Sequence, residues 1–303
     1  MFNRRTFLQA TVLHVTASAA LLRAQSESVW GTPVIDIHHH WRPEPDANLR
    51  HMNGAGIARA VLLTFGAEDS GASAMPTSRF LRFTSVAAAA TDAVEQLRKS
   101  AAAGTRGFGE LRSQVAVDSS EMRRIYDLAA ELGLPVLLHF QDYPDASGGP
   151  FNTGIERFPV VLKAYPRTVF IGHAQSFWAN ISADVPRDVS YPPGRIRPGG
   201  LTDRMLGEFP NLYGDLSGTS GLNALNRDPD FTASFLARHQ DKLMFGSDCF
   251  CRDGHGEGQP VPSPLVAGRC IARATLTTLQ RVATPEVFRK VVWGNATRLL
   301  KLA

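Results

Sequence analysis

The chain has 303 residues, 44% of them hydrophobic and 20% charged. That is enough to bury one large core, and an α/β barrel commonly uses this length as a single domain. The formal net charge is +4, and the three cysteines, Cys249, Cys251 and Cys270, exclude a disulfide framework; one bridge is possible, and buried thiols are the preferred reading.

Residues 1–24 stand apart from the rest. Arg4 and Arg5, followed by Thr6, Phe7 and Leu8, precede a mildly apolar run at 10–22, too short to span a bilayer. Small residues place a cleavage after Ala19 or Ala24. The segment resembles a twin-arginine export signal, which implies delivery of a folded protein to the periplasm; the alternative is an amphipathic first helix. It holds three arginines and no acids, so 29 basic and 28 acidic residues remain. That balance leaves no basic face for nucleic acid. Residues 25–303 are expected to form one domain with no membrane segment.

Short β-like runs recur at 33–37, 59–65, 82–88, 105–111, 135–140, 168–173, 211–217 and 242–248. Most are continuously apolar, as expected for strands buried on both faces. Helical patterns lie between them. Asp92 begins one with Glu95 in capping-box position, and Gly104 closes it. In another, Ile125, Leu128, Ala129 and Leu132 form an apolar stripe that Gly133 stops. Asp228–Pro229, Ser263–Pro264 and Thr284–Pro285 each pair a capping residue with a proline at the first helical position. Eight strands alternating with helices predict an α/β fold of the (β/α)8 TIM-barrel type. An open doubly wound sheet is the weaker option, because no glycine-rich dinucleotide turn follows the first strand. Long loops at 66–78, 174–200 and 249–262 all follow strands and so belong at the C-terminal mouth. The middle one is long enough to form a lid.

Five of the eight histidines in residues 25–303 gather at the same end. His38, His39 and His40 follow the first strand, His139 lies in the fifth and His173 ends the sixth, while Glu110 and Asp248 occupy equivalent places in the fourth and eighth. In an extended segment His38 and His40 share a face and His39 points away. His38 and His40 thus form a bidentate seat for one cation, with His39 left to packing or hydrogen bonding. Each of the other residues alone has an ordinary structural explanation. Together they place imidazoles and carboxylates around one mouth, the donor types that ligate a borderline divalent metal such as zinc.

The ordered set DIHHH, GFGEL, LLHF, IGHA, MFGSD and GNATRLL resembles the amidohydrolase superfamily in its amidohydrolase-related branch, which also contains metal-dependent decarboxylases. The resemblance covers about residues 33–303. It implies that His38, His40 and His139 are metal ligands, that His173 is a ligand or polarises the substrate, and that Asp248 ligates the metal and shuttles protons. Many members bridge two metals with a modified lysine in the fourth strand; Glu110 stands there instead, a bridge in some members, so the site holds one ion or two. The closing GNATRLL segment reads as structural.

Such a metal lowers the pKa of bound water to roughly 7 and polarises a carbonyl, while Asp248 carries the proton to the leaving group. The expected reaction is hydrolysis of an amide, ester or lactone in a small-molecule substrate. The alternative within the fold is non-oxidative decarboxylation of a small carboxylic acid. From another class, a periplasmic binding barrel without catalysis would not need Asp248. Arg112, two residues after Glu110, shares its face if the strand persists and could hold a substrate carboxylate; a surface salt bridge is the other reading. Gln175 and Trp178, with Phe177, are expected on the pocket wall or packed in the lid. Asp215 ends the seventh strand, with its orientation open.

Overall fold

The run RAVLLTF at 59–65 shows how this chain is built. Val61 and Leu63 belong to one buried cluster and Ala60 and Leu62 to another, so the strand is covered on both faces. In the computed structural model, which describes residues 28–65, 70–145, 148–186, 188–260 and 266–302, this pattern repeats around a barrel. The expected export signal and the Ser263–Pro264 cap lie outside the described residues. The strands are β1 (Ile35–His40), β2 (Arg59–Phe65), β3 (Phe80–Ser85), β4 (Phe108–Leu111), β5 (Val136–His139), β6 (Phe170–His173), β7 (Leu212–Asp215) and β8 (Leu243–Met244). All neighbours pair in parallel in sequence order. The Ile37 N–H donates to the Phe245 carbonyl at 3.1 Å and the Asp248 N–H to the His38 carbonyl at 2.8 Å, drawing the last strand against the first. This is the (β/α)8 barrel that the alternation of elements predicts.

The inner cluster includes Ile35, Ile37, Val61, Leu63, Phe83, Leu137, Ile171 and Met244, with Ala296 and Leu300 packed on it. The GNATRLL segment therefore has a structural role. Buried Asn295 donates to the Gln240 and Leu243 carbonyls, each at 2.7 Å, and ties the closing helix to the start of β8. The outer cluster lies between sheet and helices. Among the described residues no helix is long and apolar enough to cross a membrane.

Helix ends follow the sequence signals with one exception. The side chains of Ser119, Asp228 and Thr284 accept from the N–H groups of Met122, Phe231 and Val287, each satisfying a donor that the first turn leaves orphaned. Asp92 is the exception. It stands at the N-cap of Ala93–Ala102 with φ −102° and ψ 10° and makes no side-chain cap bond. Its backbone is not extended, so the carboxylate does not reach the first turn, and the expected capping box with Glu95 is absent.

This difference is measurable. Ser119→Ala should lower the unfolding free energy by about 1 kcal/mol, the usual worth of a cap, whereas Asp92→Ala should leave the urea midpoint unchanged. A matching loss at Asp92 would mean that its carboxylate does cap in solution.

Candidate metal centre at the barrel mouth

A break in β1 decides which histidines face the mouth. Ile35 and Ile37 point inward, and unbroken alternation would carry His39 in after them. Against β2 the register slips by one residue between Asp36 and His39, a bulge that resets the phase. The Asp36 carboxylate supports the break by accepting from the His38 N–H at 2.9 Å and the Ser247 N–H at 2.7 Å. His38 and His40 consequently converge, with their Nε2 atoms 3.2 Å apart. His39 faces away from them, where its Nε2 accepts from Arg42 Nη1 at 2.9 Å. Burial, with Arg42 beside it, pulls the His39 pKa down to about 4, so it is a neutral packing residue.

Beneath the mouth, one carboxylate sets the proton positions on two imidazoles. His38 Nδ1–H donates to Asp215 Oδ2 at 2.7 Å. The Ser217 hydroxyl donates to the same oxygen at 2.7 Å and accepts from His173 Nδ1–H at 2.8 Å. With the Nδ1 atoms of His38 and His173 turned to Asp215 and Ser217, Nε2 is the nitrogen that each imidazole turns to the cavity, where a metal ligand would present its lone pair. A similar device orients His139. Gln141 Nε2 donates to the Gly148 carbonyl at 2.8 Å, and Gln141 Oε1 lies 3.1 Å from His139 Nε2. Accepting that N–H leaves His139 Nδ1 facing Glu110 Oε1.

The remaining donors close the ring. Asp248 Oδ1 lies 3.1 Å from His40 Nε2, and Asp248 Oδ2 lies 3.7 Å from His173 Nε2. Glu110 Oε2 faces His38 and His40 at 3.8 and 3.7 Å, and Oε1 faces His173 at 3.5 Å. The donor atoms form overlapping groups, His38–His40–Glu110, His38–His173–Asp248 and Glu110–His139–His173, each spanning no more than 4.8 Å. Burial opposes charge on His38, His173, Glu110 and Asp248. Even so, Asp215, Asp248 and Glu110 push the His38 pKa up to about 10. Burial is likewise outweighed at Glu110, where His139, His38 and His173 hold the carboxyl well below its usual range. The protein thus gathers negative charge around the cavity-facing imidazole nitrogens, and without a metal His38 retains a proton that balances it. A divalent cation fits that donor set and would take over the proton's role.

All six residues expected as ligands, His38, His40, Glu110, His139, His173 and Asp248, are brought together here. Arg112 and Gln175 line a mouth cavity of about 410 Å³ with His40, His173, Tyr191 and Asp248. The Arg112 guanidinium sits 4.7 Å from the centre of the Phe151 ring. Gln175 Nε2 and the Ser190 hydroxyl both donate to Asp145 Oδ2 at 3.0 Å, fastening the 174–200 segment to the loop after β5. Trp178 is a correction. It does not line the cavity: it is 1% exposed, packs edge-on against Phe177 and Phe235, and donates from Nε1 to the Asp215 carbonyl at 2.8 Å. The short helix Gln175–Ala179 turns it into the outer core, where it holds β7 in place.

Asp215, Ser217, Gln141 and Tyr191 are the participants for which sequence reasoning assigned no role. The first three sit beneath or beside the six donors. Only Asp215, a carboxylate at a strand end, carried a signal. Gly246 belongs with them, because a Cβ there would lie 2.3 Å from Asp215 Oδ1 and 2.8 Å from the His38 Cβ.

A family model described as amidohydrolase matches residues 35–302. No curated protein matches the chain. Among solved structures, an uncharacterised TIM-barrel protein from Bordetella bronchiseptica aligns with a TM-score of 0.61 at 16% identity, covering 89% of this chain and 98% of that one. A 2,6-dihydroxybenzoate decarboxylase complexed with 2,6-dihydroxybenzoate aligns with a TM-score of 0.55 at 15% identity, covering 89% and 99%. A structure described as a probable 2-pyrone-4,6-dicarboxylic acid hydrolase from Acinetobacter baumannii, with citric acid bound, gives 0.56 at 13% identity, covering 89% and 100%. At these identities the likeness is one of fold.

The histidine run should be asymmetric toward metal. His38→Ala and His40→Ala are expected to lose most divalent metal by elemental analysis. His39→Ala should retain it and melt lower, since Arg42 loses a buried acceptor. Equal metal loss in all three, with circular dichroism unchanged, would contradict the geometry of the bulge.

Proposed function

Because the chain belongs to the amidohydrolase family, we propose that it is a divalent-metal-dependent hydrolase acting on an amide, ester or lactone bond of a small carboxylate-bearing substrate. The observation that carries this reading is the ring of six donors in which His38 and His173 have their Nδ1 sides already occupied. A borderline ion such as Zn²⁺ suits mixed imidazole and carboxylate donors. The two oxygens of Glu110 face different histidine pairs, an arrangement suited to a carboxylate shared by two ions.

When bound, such an ion supplies Lewis acidity toward a carbonyl oxygen and acidifies water. The chain's own residues do the rest. Asp248 has a side chain 23% exposed and borders the cavity, so it can take a proton from the attacking water and return it to the leaving group. Arg112, at the cavity wall, can pair with a substrate carboxylate. Burial, with Asp145 and Asp248 nearby, pushes the Tyr191 phenol up to about 12, so it remains a neutral donor toward substrate oxygen. A second lobe of about 520 Å³ is lined by Trp41 and Phe151 and shares His40, Glu110 and Arg112 with the first. Aromatic walls beside a guanidinium also suit a flat aromatic acid, which favours decarboxylation as the second reading.

Asp248→Asn provides the test. The residue has φ +46°, a conformation that asparagine adopts as readily as aspartate, so the backbone is preserved while basicity is lost. Turnover on a substrate found by screening lactones, esters, amides and aromatic carboxylates should fall about a hundredfold or more, with metal content largely kept. Release of CO2 rather than a hydrolysis product would select decarboxylation. Turnover within a fewfold of wild type at equal metal occupancy would remove Asp248 from the chemistry and favour a non-catalytic binding barrel.

A further inference from the structure

Behind the mouth lies a second cluster that the reaction does not use. His51 lies on the helix Pro45–Ala55, Cys249 and Cys251 on the loop after β8, and Cys270 at the N-cap of the helix Ile271–Val282. All four are buried, and the three thiols are unbridged. We propose that His51, Cys249, Cys251 and Cys270 form a closed, Zn²⁺-type metal site that pins the loop carrying Asp248, independent of whatever ion the mouth holds.

The geometry supports this first. The four ligand atoms lie within 4.8 Å of one another. Cys249 Sγ is 3.3 Å from Cys251 Sγ and 3.8 Å from Cys270 Sγ, and His51 Nδ1 is 3.3 Å from Cys251 Sγ. A tetrahedral ion with sulfur and imidazole ligands implies edges of about 3.8 Å between sulfurs and about 3.5 Å between sulfur and nitrogen. The three separations lie within about half an ångström of those edges.

Chemistry points the same way. Three cysteines and one histidine are a common structural zinc set. Three thiolates around a dication leave one negative charge, and the buried Arg42 guanidinium beside them supplies the balancing positive charge. Arg42 is held by the Cys249 and Cys251 carbonyls, the latter at 3.1 Å from Nε. His51 is fully buried and turns Nδ1 toward the Cys251 sulfur at 3.3 Å. Loading exchanges three thiol protons for one dication, so metal binding releases acid. Since Cys249 directly follows Asp248, an ion here would fix the backbone from which Asp248 reaches the mouth.

Cobalt distinguishes this site from the mouth, which offers nitrogen and oxygen donors only. The full chain, reduced and loaded with Co²⁺, should show sulfur-to-cobalt charge-transfer absorption that saturates at one ion per chain. Cys270→Ala should lose that absorption and melt at lower temperature, while elemental analysis still finds metal at the mouth. The wild-type spectrum decides the matter even if the variant does not fold. Absence of the absorption at saturating cobalt would overturn the proposal. So would an undiminished absorption in Cys270→Ala, or a Cys249–Cys270 disulfide in protein purified without reductant.

Discussion

The mouth of this barrel depends on one buried carboxylate. Asp215 is fully shielded from solvent and holds hydrogens on His38 Nδ1 and, through Ser217, on His173 Nδ1. Without it the two imidazoles could take either tautomer, and their Nε2 atoms would not be committed to the cavity. A buried carboxylate is costly unless it is hydrogen-bonded. Here three donors converge on it, counting the Ser217 N–H at 3.1 Å, so its burial is compatible with a stable fold.

The surrounding structure keeps that carboxylate in place. Trp178 clamps the Asp215 carbonyl from behind, and Gly246 leaves the space its oxygen occupies. Asp36 plays the corresponding part on β1: it bonds the backbone of the bulge and of Ser247 together. The chain ends of β1, β7 and β8 are therefore cross-linked by two buried aspartates below the layer of imidazoles and carboxylates. Barrel packing supplies the framework, and these polar links aim the side chains at one point.

Much of this was legible in the sequence. Continuous apolar runs such as 59–65 reported strands covered on both faces, and their alternation with capped helices reported the barrel. The clustering of His38, His40, Glu110, His139, His173 and Asp248 could be read because strand ends in a parallel barrel all meet at one mouth. What could not be read depended on tertiary context. The bulge in β1 has no local signature, and simple alternation within the histidine run reached the right pairing without revealing the reset that produces it. Trp178 follows a strand-end histidine just as a pocket residue would, and only the turn of Gln175–Ala179 sends it into the core. Asp92 carries the composition of a cap, but its backbone is not extended. Ser217 and Gln141 act through the residues they orient, and a single sequence carries no mark of that.

The central claim is that the mouth is a site for a divalent cation. Anomalous diffraction at the zinc edge from crystals grown with zinc tests it most directly, because it locates the ion without reference to activity. The account predicts a peak bounded by Nε2 of His38, His40 and His173 and by the carboxylates of Glu110 and Asp248. A mouth with no anomalous peak at saturating zinc, in a barrel otherwise unchanged, would contradict it.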